Sequence, residues 1–339
     1  MSYKRVVITK FGGPEVLQVV EEPSLPEPGP GEVRVRVLAT SASFTDTMIR
    51  KGKYPGVRQK PPFSPGYDMV GIVDKLGAGV KSPRLGWRVA DLCVTGAYSE
   101  YICRPAELLV PVLQGLGTPE AVSLVLTYIT AYQMLRRTAH VQTGERILVH
   151  GAAGAVGTAL LQLGSAFGLE MVGTASSGKQ ELVESLGAVP IDYQNEDFVK
   201  RIDELTDDGV DVAFDGIGGD NLTRSFRSLR DGGRLVGFGF TNAVMGRGGV
   251  IPLDLLWLRL WDWFPNKRSA SFYSIAPTRK RHSQWFRDDL SALYDLLARG
   301  RIKPVIGKYL PLAQAAYAHQ LVEQAAVPGK IVLIVGEET

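Results

Sequence analysis

A glycine-rich segment at residues 151–157 has the residue types and spacing that bind phosphate groups. It reads GAAGAVG and lies between a predicted buried strand at 147–149 and a predicted helix near 155–167. Small side chains let the backbone approach a pyrophosphate, and the first N–H groups of the helix carry the positive end of its dipole. The segment therefore predicts a dinucleotide-binding turn. The residues expected to contact the cofactor there are Ala153, Gly154, Ala155, Val156 and Gly157.

One position departs from the usual fingerprint of such turns. Ala152 stands where the first glycine is expected, with Gly151 immediately before it. A glycine motif alone is weak evidence, because a turn that only caps a helix has a similar composition. The strand before it and the helix after it complete a βαβ unit, which favours the dinucleotide interpretation.

A second segment, Thr174–Lys179, bears on which dinucleotide binds. An NAD-preferring site usually has an acid about twenty residues after the turn, where it holds the ribose 2′-hydroxyl. Here the segment reads TASSGK and has no acid. The hydroxyls of Ser176 and Ser177 and the ammonium of Lys179 would hydrogen-bond and neutralise a 2′-phosphate. We therefore expect NADPH, the alternative being that the serines only cap the next helix and Lys179 is solvated.

The bulk composition limits the protein class. A chain of 339 residues with 45% hydrophobic and 22% charged residues is expected to form two globular domains. The net charge of +3 gives no reason to expect nucleic acid or an acidic membrane as a partner. Two cysteines, no apparent signal segment and no long apolar run indicate a cytoplasmic protein rather than a secreted or membrane-spanning one.

The pattern of predicted elements changes near residue 120. Residues 1–112 alternate short β-type runs with turn signals, which is typical of a largely antiparallel β domain. Later residues alternate buried strands with helical periods, including predicted helices near 179–186, 196–205 and 220–230 and a strand near 234–238, which indicates a doubly wound parallel sheet. The apolar strand at 331–335 suggests that the chain returns to the first domain.

Several further motifs support a family resemblance. They are Phe11–Leu17, Ser43–Asp46, Ile49–Pro55, Pro65–Asp68, Gly96–Tyr101, Phe214–Gly219 and Pro328–Lys330. With the turn at 151–157, they make the chain resemble the medium-chain dehydrogenase/reductase superfamily, and within it the zinc-free quinone oxidoreductase branch that includes zeta-crystallin. The resemblance implies an α/β fold with a GroES-like, mainly antiparallel β catalytic domain (1–124 and 275–339) and a Rossmann NADPH-binding domain (125–274).

The resemblance also implies roles for individual residues. The residues expected near the 2′-phosphate and adenine are Ser176, Lys179, Tyr193 and Lys330. Those expected near the nicotinamide half are Thr130, Phe238, Gly239, Phe272 and Ser274. Tyr193 and Phe272 have the alternative of being ordinary core aromatics.

Two positions argue against a metal. Zinc-dependent relatives have a cysteine ahead of a Thr/Ser-Asp pair and a Gly-His-Glu motif, whereas this chain has Ser43 and Gly66–Asp68 at those places. The four-cysteine structural lobe of those relatives is also missing. Zinc requires converging N, S or O ligands, and the histidines lack such a spacing, so we expect no metal and interpret them as surface or core residues. These histidines are His140, His150, His282 and His319.

Without a Lewis acid, conjugated acceptors suit the predicted chemistry better than simple ketones. A quinone or an α,β-unsaturated carbonyl spreads the charge of an incoming hydride onto oxygen, so hydrogen-bond donors and a proton source suffice. Tyr54 is the predicted donor, Ser43 and Thr45 support it, and Tyr67 shapes the pocket; the alternative is that water delivers the proton. Competing hypotheses are a non-catalytic NADPH-binding sensor, scaffold or RNA-binding protein, and an alcohol dehydrogenase. We expect a homodimer.

Two other segments have simple interpretations. Residues 255–265 are rich in tryptophan, and Trp257 and Trp261 are one helical turn apart, which favours a helix packed on protein over a membrane contact. A set of basic residues is expected to form a solvated surface rather than a nucleic-acid site. They are Lys267, Arg268, Arg279, Lys280 and Arg281.

Overall fold

The computed structural model describes residues 1–263 and 267–336. The chain forms two compact units, one made of Met1–Thr127 with Gln284–Thr339 and the other of Tyr128–Ser283. These boundaries lie later in the chain than the predicted 124/125 and 274/275.

The strands are β1 Tyr3–Ile8, β2 Leu17–Glu22, β3 Glu32–Ala42, β4 Met69–Leu76, β5 Arg88–Asp91, β6 Tyr101–Pro105, β7 Val110–Pro111, β8 Arg146–His150, β9 Glu170–Ala175, β10 Val189–Asp192, β11 Val210–Asp215, β12 Leu229–Gly237, β13 Ser269–Phe272, β14 Ile306–Pro311 and β15 Lys330–Ile334. The helices are α1 Phe44–Arg50, α2 Thr118–Ser123, α3 Ile129–Gln133, α4 Ala155–Ala166, α5 Gln180–Ser185, α6 Phe198–Leu205, α7 Asp220–Arg227, α8 Thr241–Val244, α9 Ile251–Trp263, α10 Ile275–Arg281, α11 Ser283–Ala298 and α12 Ala315–Glu323.

The first unit is built on a sheet with strand order β14-β15-β3-β4-β5-β7, in which β6 also pairs with β3. The pairings within it are antiparallel except for β14 with β15. The sequence of β3 shows why it is central, because Val33, Val35 and Val37 alternate into the core while Arg34 forms a two-pronged ion pair with Asp74 of β4.

Elements from the end of the chain complete this unit. Strand β15 pairs antiparallel with β3, and α12 packs on α1. The guanidinium of Arg50, which is fully buried, donates to Glu323 Oε1 at 2.5 Å and to the carbonyl of Gly12 at 3.1 Å. Its Nη1 also lies 3.3 Å from Nδ1 of His319. The predicted return of the chain to the first domain is thus confirmed.

The second unit is a parallel sheet with strand order β10-β9-β8-β11-β12-β13. Ile147, Leu148 and Val149 of β8 are fully buried, as expected for a strand covered on both faces. The two sheets confirm the predicted α/β fold class.

One predicted boundary is wrong. Helix α7 ends at Arg227 and β12 begins at Leu229, whereas the sequence pattern predicts a helix to about 230 and a strand from 234. Leu229 is buried and pairs with Val210, ahead of the turn-like residues that follow it. The strand accommodates those residues through a register shift against β11.

The tryptophan-rich segment forms α9, as predicted, and its last two residues, 264 and 265, lie outside the described residues. Trp261 stacks on Phe226, with ring centroids 4.7 Å apart, whereas Trp257 is partly exposed. No helix in the described part of the chain has the length and hydropathy needed to cross a membrane.

The Arg50–Glu323 pair predicts a measurable contribution to stability. Glu323→Gln leaves the buried guanidinium without its counter-charge, so we expect the free energy of unfolding to fall by about 3 kcal/mol. Asp231→Asn is the matched control, because the Asp231–Lys267 pair is exposed to solvent and should contribute much less to the stability than the buried pair. Urea unfolding of the three proteins checks this, and equal losses in both variants would contradict it.

Candidate active site

The predicted cofactor residues of the second unit follow the carboxyl ends of its strands. Because all six strands are parallel, these ends lie at one edge of the sheet. The 151–157 turn follows β8, Ser176 to Lys179 follow β9, and Tyr193 follows β10. Phe238 and Gly239 follow β12, and Ser274 comes two residues after the end of β13. Chain order reverses between β8 and β11, which is where sheets of this type bind ligands.

The turn at 151–157 has the geometry of a phosphate cradle. Gly151 has a φ of +64°, and its N–H donates to Thr174 Oγ1 at 3.3 Å. Gly154 precedes α4 without a side-chain cap, and the first turn of the helix has no acidic residue. The opening N–H groups of α4 are therefore not taken by a side-chain cap, as an anion would require.

Two contacts explain the small residues of this turn. A Cβ atom on Gly157 would lie 2.3 Å from the Gly151 carbonyl oxygen and 2.6 Å from Ala152 Cα, so no larger residue fits. Ala152 is itself buried, and a Cβ on Gly173 of β9 would lie 2.7 Å from the Ala152 methyl group. The departure from the fingerprint at 152 is thus accommodated by a glycine on the neighbouring strand.

A buried hydrogen-bond network beneath the 151–157 turn links His150 to the neighbouring strand β9 and to α7. Nδ1 of His150 lies 3.1 Å from Thr174 Oγ1, and its Nε2 lies 2.9 Å from Ser225 Oγ. Ser225 in turn donates to Asp215 Oδ2 at 2.7 Å. Burial lowers the pKa of His150, so the imidazole is neutral at neutral pH. His150, predicted to be a surface or core residue, is thus a core residue that also supports the turn.

The segment after β9 is held by an acid on the adjacent strand. Ser177 Oγ donates to Asp192 Oδ2, and Asn195 Nδ2 donates to the same oxygen at 2.8 Å. Neither Ser176 nor Ser177 caps a helix through its side chain, so that alternative is wrong. Burial lowers the pKa of Lys179. The sequence pattern does not indicate a role for Asp192; the adjacency of β9 and β10 would have indicated its contact with Ser177.

The aromatic candidates lie on the surface of the second unit. Tyr193 is 56% exposed and Phe272 is 39% exposed, so the alternative that they are core residues is wrong. Phe272 stacks on Phe240 with ring centroids 5.0 Å apart. Tyr273 Oη donates to Gln133 on α3, the helix that also carries Thr130.

The predicted catalytic residues belong to the first unit. The hydroxyls of Tyr54 and Tyr67 lie 2.8 Å apart, and their rings meet edge to face. Burial raises the pKa of Tyr54, the hydrogen bond with Tyr67 lowers it by a smaller amount, and Asp46 raises it further when ionised. Ser43 caps α1, and Thr45 lies half-buried in its first turn.

The predicted role of Lys330 is corrected by the structure. This residue is 3% exposed, and its Nζ lies 3.4 Å from Oδ2 of the fully buried Asp68. Asp68 also accepts from Ser41 Oγ at 2.6 and 2.7 Å. A buried ammonium held by a carboxylate is not placed to bind a 2′-phosphate, so Lys330 belongs to the interior of the first unit.

Whether this chain could bind zinc depends on which residues stand at the zinc-ligand positions of its relatives. Ser43 and Tyr67 stand where zinc-dependent relatives have ligands, and neither side chain is a usual zinc ligand. Within residues 1–263 and 267–336, no group of three or more His, Cys, Asp or Glu side chains is placed to hold a metal ion. His150 and His319 are buried, whereas His140 and His282 are exposed, as predicted.

A depression of about 440 Å³ opens on the first unit, lined partly by Arg5, Glu22 and Tyr101. None of the predicted site residues lines it. Nη2 of Arg5 lies 2.5 Å from Glu22 Oε1, and its Nη1 donates to Ser64 Oγ. Among the described lining residues, this arginine is therefore already paired and not free to bind a ligand.

Comparison with known proteins gives consistent matches over the whole chain. The alcohol dehydrogenase GroES-like domain matches residues 29–114, and the zinc-binding dehydrogenase family matches residues 186–333. Mouse quinone oxidoreductase is 30% identical over 340 residues, covering 98% of this chain and 97% of that protein. The human synaptic vesicle membrane protein VAT-1 homolog is also 30% identical, over 98% of this chain and 86% of its own length.

Solved structures agree with these matches. The crystal structure of Escherichia coli quinone oxidoreductase complexed with NADPH is 31% identical, with a TM-score of 0.87 over 98% of this chain and 100% of that one. The quinone oxidoreductase of Pseudomonas syringae is 33% identical, with the same TM-score and coverage.

The close contact at Gly157 predicts that this position tolerates no side chain. Gly157→Ala would force the turn away from the strand, and we expect it to reduce the free energy of unfolding by about 3 kcal/mol. Gly178→Ala is the matched control, since a Cβ there meets nothing within 4 Å, and it should change stability by less than about 0.5 kcal/mol. Urea unfolding distinguishes the two, and a fully stable Gly157→Ala variant would refute the geometry.

Proposed function

We propose a function from one premise: the chain belongs to the medium-chain dehydrogenase/reductase superfamily, among its quinone-oxidoreductase-like members. On this basis the protein is an NADPH-dependent oxidoreductase. We further propose that it transfers hydride to a quinone or an α,β-unsaturated carbonyl and needs no metal. The observation that carries this proposal is the phosphate cradle at 151–157 in a chain that has Ser43 and Tyr67 at the zinc-ligand positions.

The second unit supplies the residues that would hold NADPH. The N–H groups at the start of α4 would contact the pyrophosphate, and Ser176 with Lys179 would hold the 2′-phosphate. The absence of an acid in Thr174–Lys179 and the NADPH bound to the Escherichia coli relative support this preference. Asp192 is an acid beside this segment, and its Oδ2 accepts hydrogen bonds from Ser177 and Asn195, so the cation of Lys179 is the group proposed to attract the 2′-phosphate there. NADPH, when bound, supplies the hydride.

The remaining predicted contacts concern the nicotinamide half. Phe272 and Ser274, with Phe238 and Gly239, come from the ends of β13 and β12. Thr130 comes from α3, which Tyr273 ties to the same region through Gln133. We propose that these residues line one face of the nicotinamide.

A homodimer remains the predicted assembly of the protein.

The first unit supplies the groups that would act on the acceptor. Reduction of a conjugated carbonyl or a quinone leaves negative charge on oxygen, which a hydrogen-bond donor stabilises. Because burial raises the pKa of Tyr54, its phenol stays protonated at neutral pH and can donate. Tyr67, which is fully buried, orients the Tyr54 phenol through the 2.8 Å contact between their hydroxyls. Ser43 and Thr45 lie at the start of α1.

A second candidate function follows from the equal sequence identity to the human VAT-1 homolog, whose name indicates no reaction. The protein would then bind NADPH without reducing an acceptor. Following NADPH absorbance with a panel of quinones and enones separates the two functions. Tight NADPH binding without reduction of any acceptor would reject the reductase proposal.

The cofactor preference predicts a selective effect at Lys179. Lys179→Ala removes the cation proposed to face the 2′-phosphate, so we expect NADPH to bind about 10- to 100-fold more weakly while NADH changes less than about twofold. Lys179→Arg should keep the preference, and Lys200→Ala, on the exposed face of α6, is the neutral control. Fluorescence titration with both cofactors measures this, and equal losses for NADPH and NADH would count against it.

The donor role of Tyr54 predicts a loss of turnover without a loss of cofactor binding. We expect Tyr54→Phe to lower kcat about 100-fold and Tyr67→Phe about 10-fold, with an unchanged Kd for NADPH. Steady-state rates with an acceptor that the wild-type protein reduces provide the measurement. Full activity of Tyr54→Phe would instead show that the acceptor oxygen does not depend on the Tyr54 hydrogen bond.

A further inference from the structure

Asp46 is a buried acid that the proposed function does not yet use. Its side chain is fully buried, and Oδ1 has no hydrogen-bond partner within the described part of the chain. The other oxygen, Oδ2, lies 3.0 Å from the backbone nitrogen and 2.5 Å from Oγ of Ser43. A fully ionised carboxylate would leave Oδ1 charged and unsolvated, which is costly.

The charges around Asp46 favour its protonated form. Asp68, also fully buried, has Lys330 at 3.4 Å and two contacts from Ser41. Lys330 is thus the ammonium that pairs with one acid of a two-acid cluster, and both acids ionised would give a net negative charge. The phenols of Tyr54 and Tyr98 face the same cluster and carry no charge, and the Arg50 guanidinium that acts on Tyr98 is paired with Glu323. Burial raises the pKa of Asp46 to about 7, with Asp68 raising it and Ser43 and Lys330 lowering it.

The hydroxyl of Ser43 has two arrangements that depend on the proton of Asp46. When Asp46 is ionised, Ser43 Oγ–H donates to Oδ2 across the 2.5 Å contact. When Asp46 is protonated at Oδ2, it donates to Ser43 Oγ, which also accepts from the Asp46 backbone N–H at 3.2 Å. The Ser43 hydrogen must then point away from Asp46. Ser43 is half-buried rather than closed off, so this hydrogen has an outward direction available.

We propose that Asp46 and Ser43 form a proton relay that supplies the proton taken up by the reduced acceptor. This inference rests on the proposed function, because it requires an acceptor oxygen near Ser43. As hydride arrives at the acceptor carbon, the Ser43 O–H bond breaks and an O–H bond forms on the acceptor. The Asp46 proton moves to Ser43 Oγ in the same step and leaves a carboxylate, which regains a proton from water before the next cycle. Tyr54 then serves as the hydrogen-bond donor and Asp46 as the source of the net proton.

The kinetic test compares Asp46→Asn with the wild-type protein. Asparagine keeps the shape and can accept the Ser43 N–H bond, but it has no proton to give. We expect the wild-type kcat for an enone to decline as the pH rises through about 7 because Asp46 loses its proton. In Asp46→Asn this decline should disappear, with kcat about 10- to 100-fold lower at pH 6 and the Kd for NADPH within about twofold. An unchanged pH profile in the variant overturns the proposal.

Two further variants separate a relay from a helix cap. Ser43→Thr keeps both a hydroxyl and a capping group, so it should retain the pH profile and most of the rate. Ser43→Ala should reproduce the kinetic loss of Asp46→Asn. If Ser43→Ala is as active as Ser43→Thr, the relay is excluded, whether or not Asp46→Asn folds. Asp203→Asn, on the exposed face of α6, controls for the substitution itself.

A stability measurement tests the protonated acid without any assay of reduction. The pKa of Asp46 is raised in the folded protein, so ionisation of this group opposes folding. Its unfavourable contribution is absent below about pH 4, grows as the pH rises and is complete above about pH 7. The difference in Tm between Asp46→Asn and wild type should therefore shift in favour of the variant between pH 4 and pH 8.

The outcomes of the stability and kinetic tests are separable. A Tm difference that is independent of pH overturns the inference, whatever the protein reduces. If the Tm difference grows as expected but the wild-type protein reduces no acceptor, the proposed function fails, and the relay fails with it.

Discussion

The second unit depends on one continuous chain of hydrogen bonds across the carboxyl ends of three strands. The N–H of Gly151 donates to the Thr174 hydroxyl, and Ser225 donates to Asp215. His150 joins the two, and in the tautomer with its proton on Nε2 it accepts from Thr174 at Nδ1 and donates to Ser225. A neutral imidazole is the form that can accept at one nitrogen and donate at the other, and burial lowers the pKa of His150 to favour it. The phosphate turn is thereby fixed to β8, β9 and β11 by groups that satisfy one another.

The polar cluster of the first unit follows the opposite principle. There the acids are Asp46 and Asp68, the cation is Lys330, and one carboxyl oxygen has no partner in the described residues. In the first network each of these groups has a partner, whereas in the second an unpaired buried oxygen opposes ionisation of its carboxyl group. The same physical property, burial of ionisable groups, therefore builds a rigid support in one unit and a titratable group in the other.

The parts of the fold that the sequence predicts are those set by local spacing. The strand, turn and helix around Gly151–Gly157 follow from hydrophobic period and glycine positions, and so do the two sheet types. The errors concern pairings between residues distant in sequence. Lys330 and Asp68 are 262 residues apart, and no local pattern shows that the strand beginning at Lys330 brings its ammonium to that acid. Asp192 was missed for a related reason, because its contact with Ser177 depends on which strands are neighbours.

The replacements at the two zinc-ligand positions bear on the state of Asp46. In zinc-dependent relatives an acid follows the Thr/Ser of the first motif, and another ends the Gly-His-Glu motif. This chain keeps acids at both places, Asp46 and Asp68, while Ser43 and Tyr67 replace ligands that would bring a dication. Two buried carboxyl groups then remain, and Lys330 pairs with one of them, Asp68. In the proposed relay, a proton balances the charge of the second acid and is the proton transferred to the acceptor.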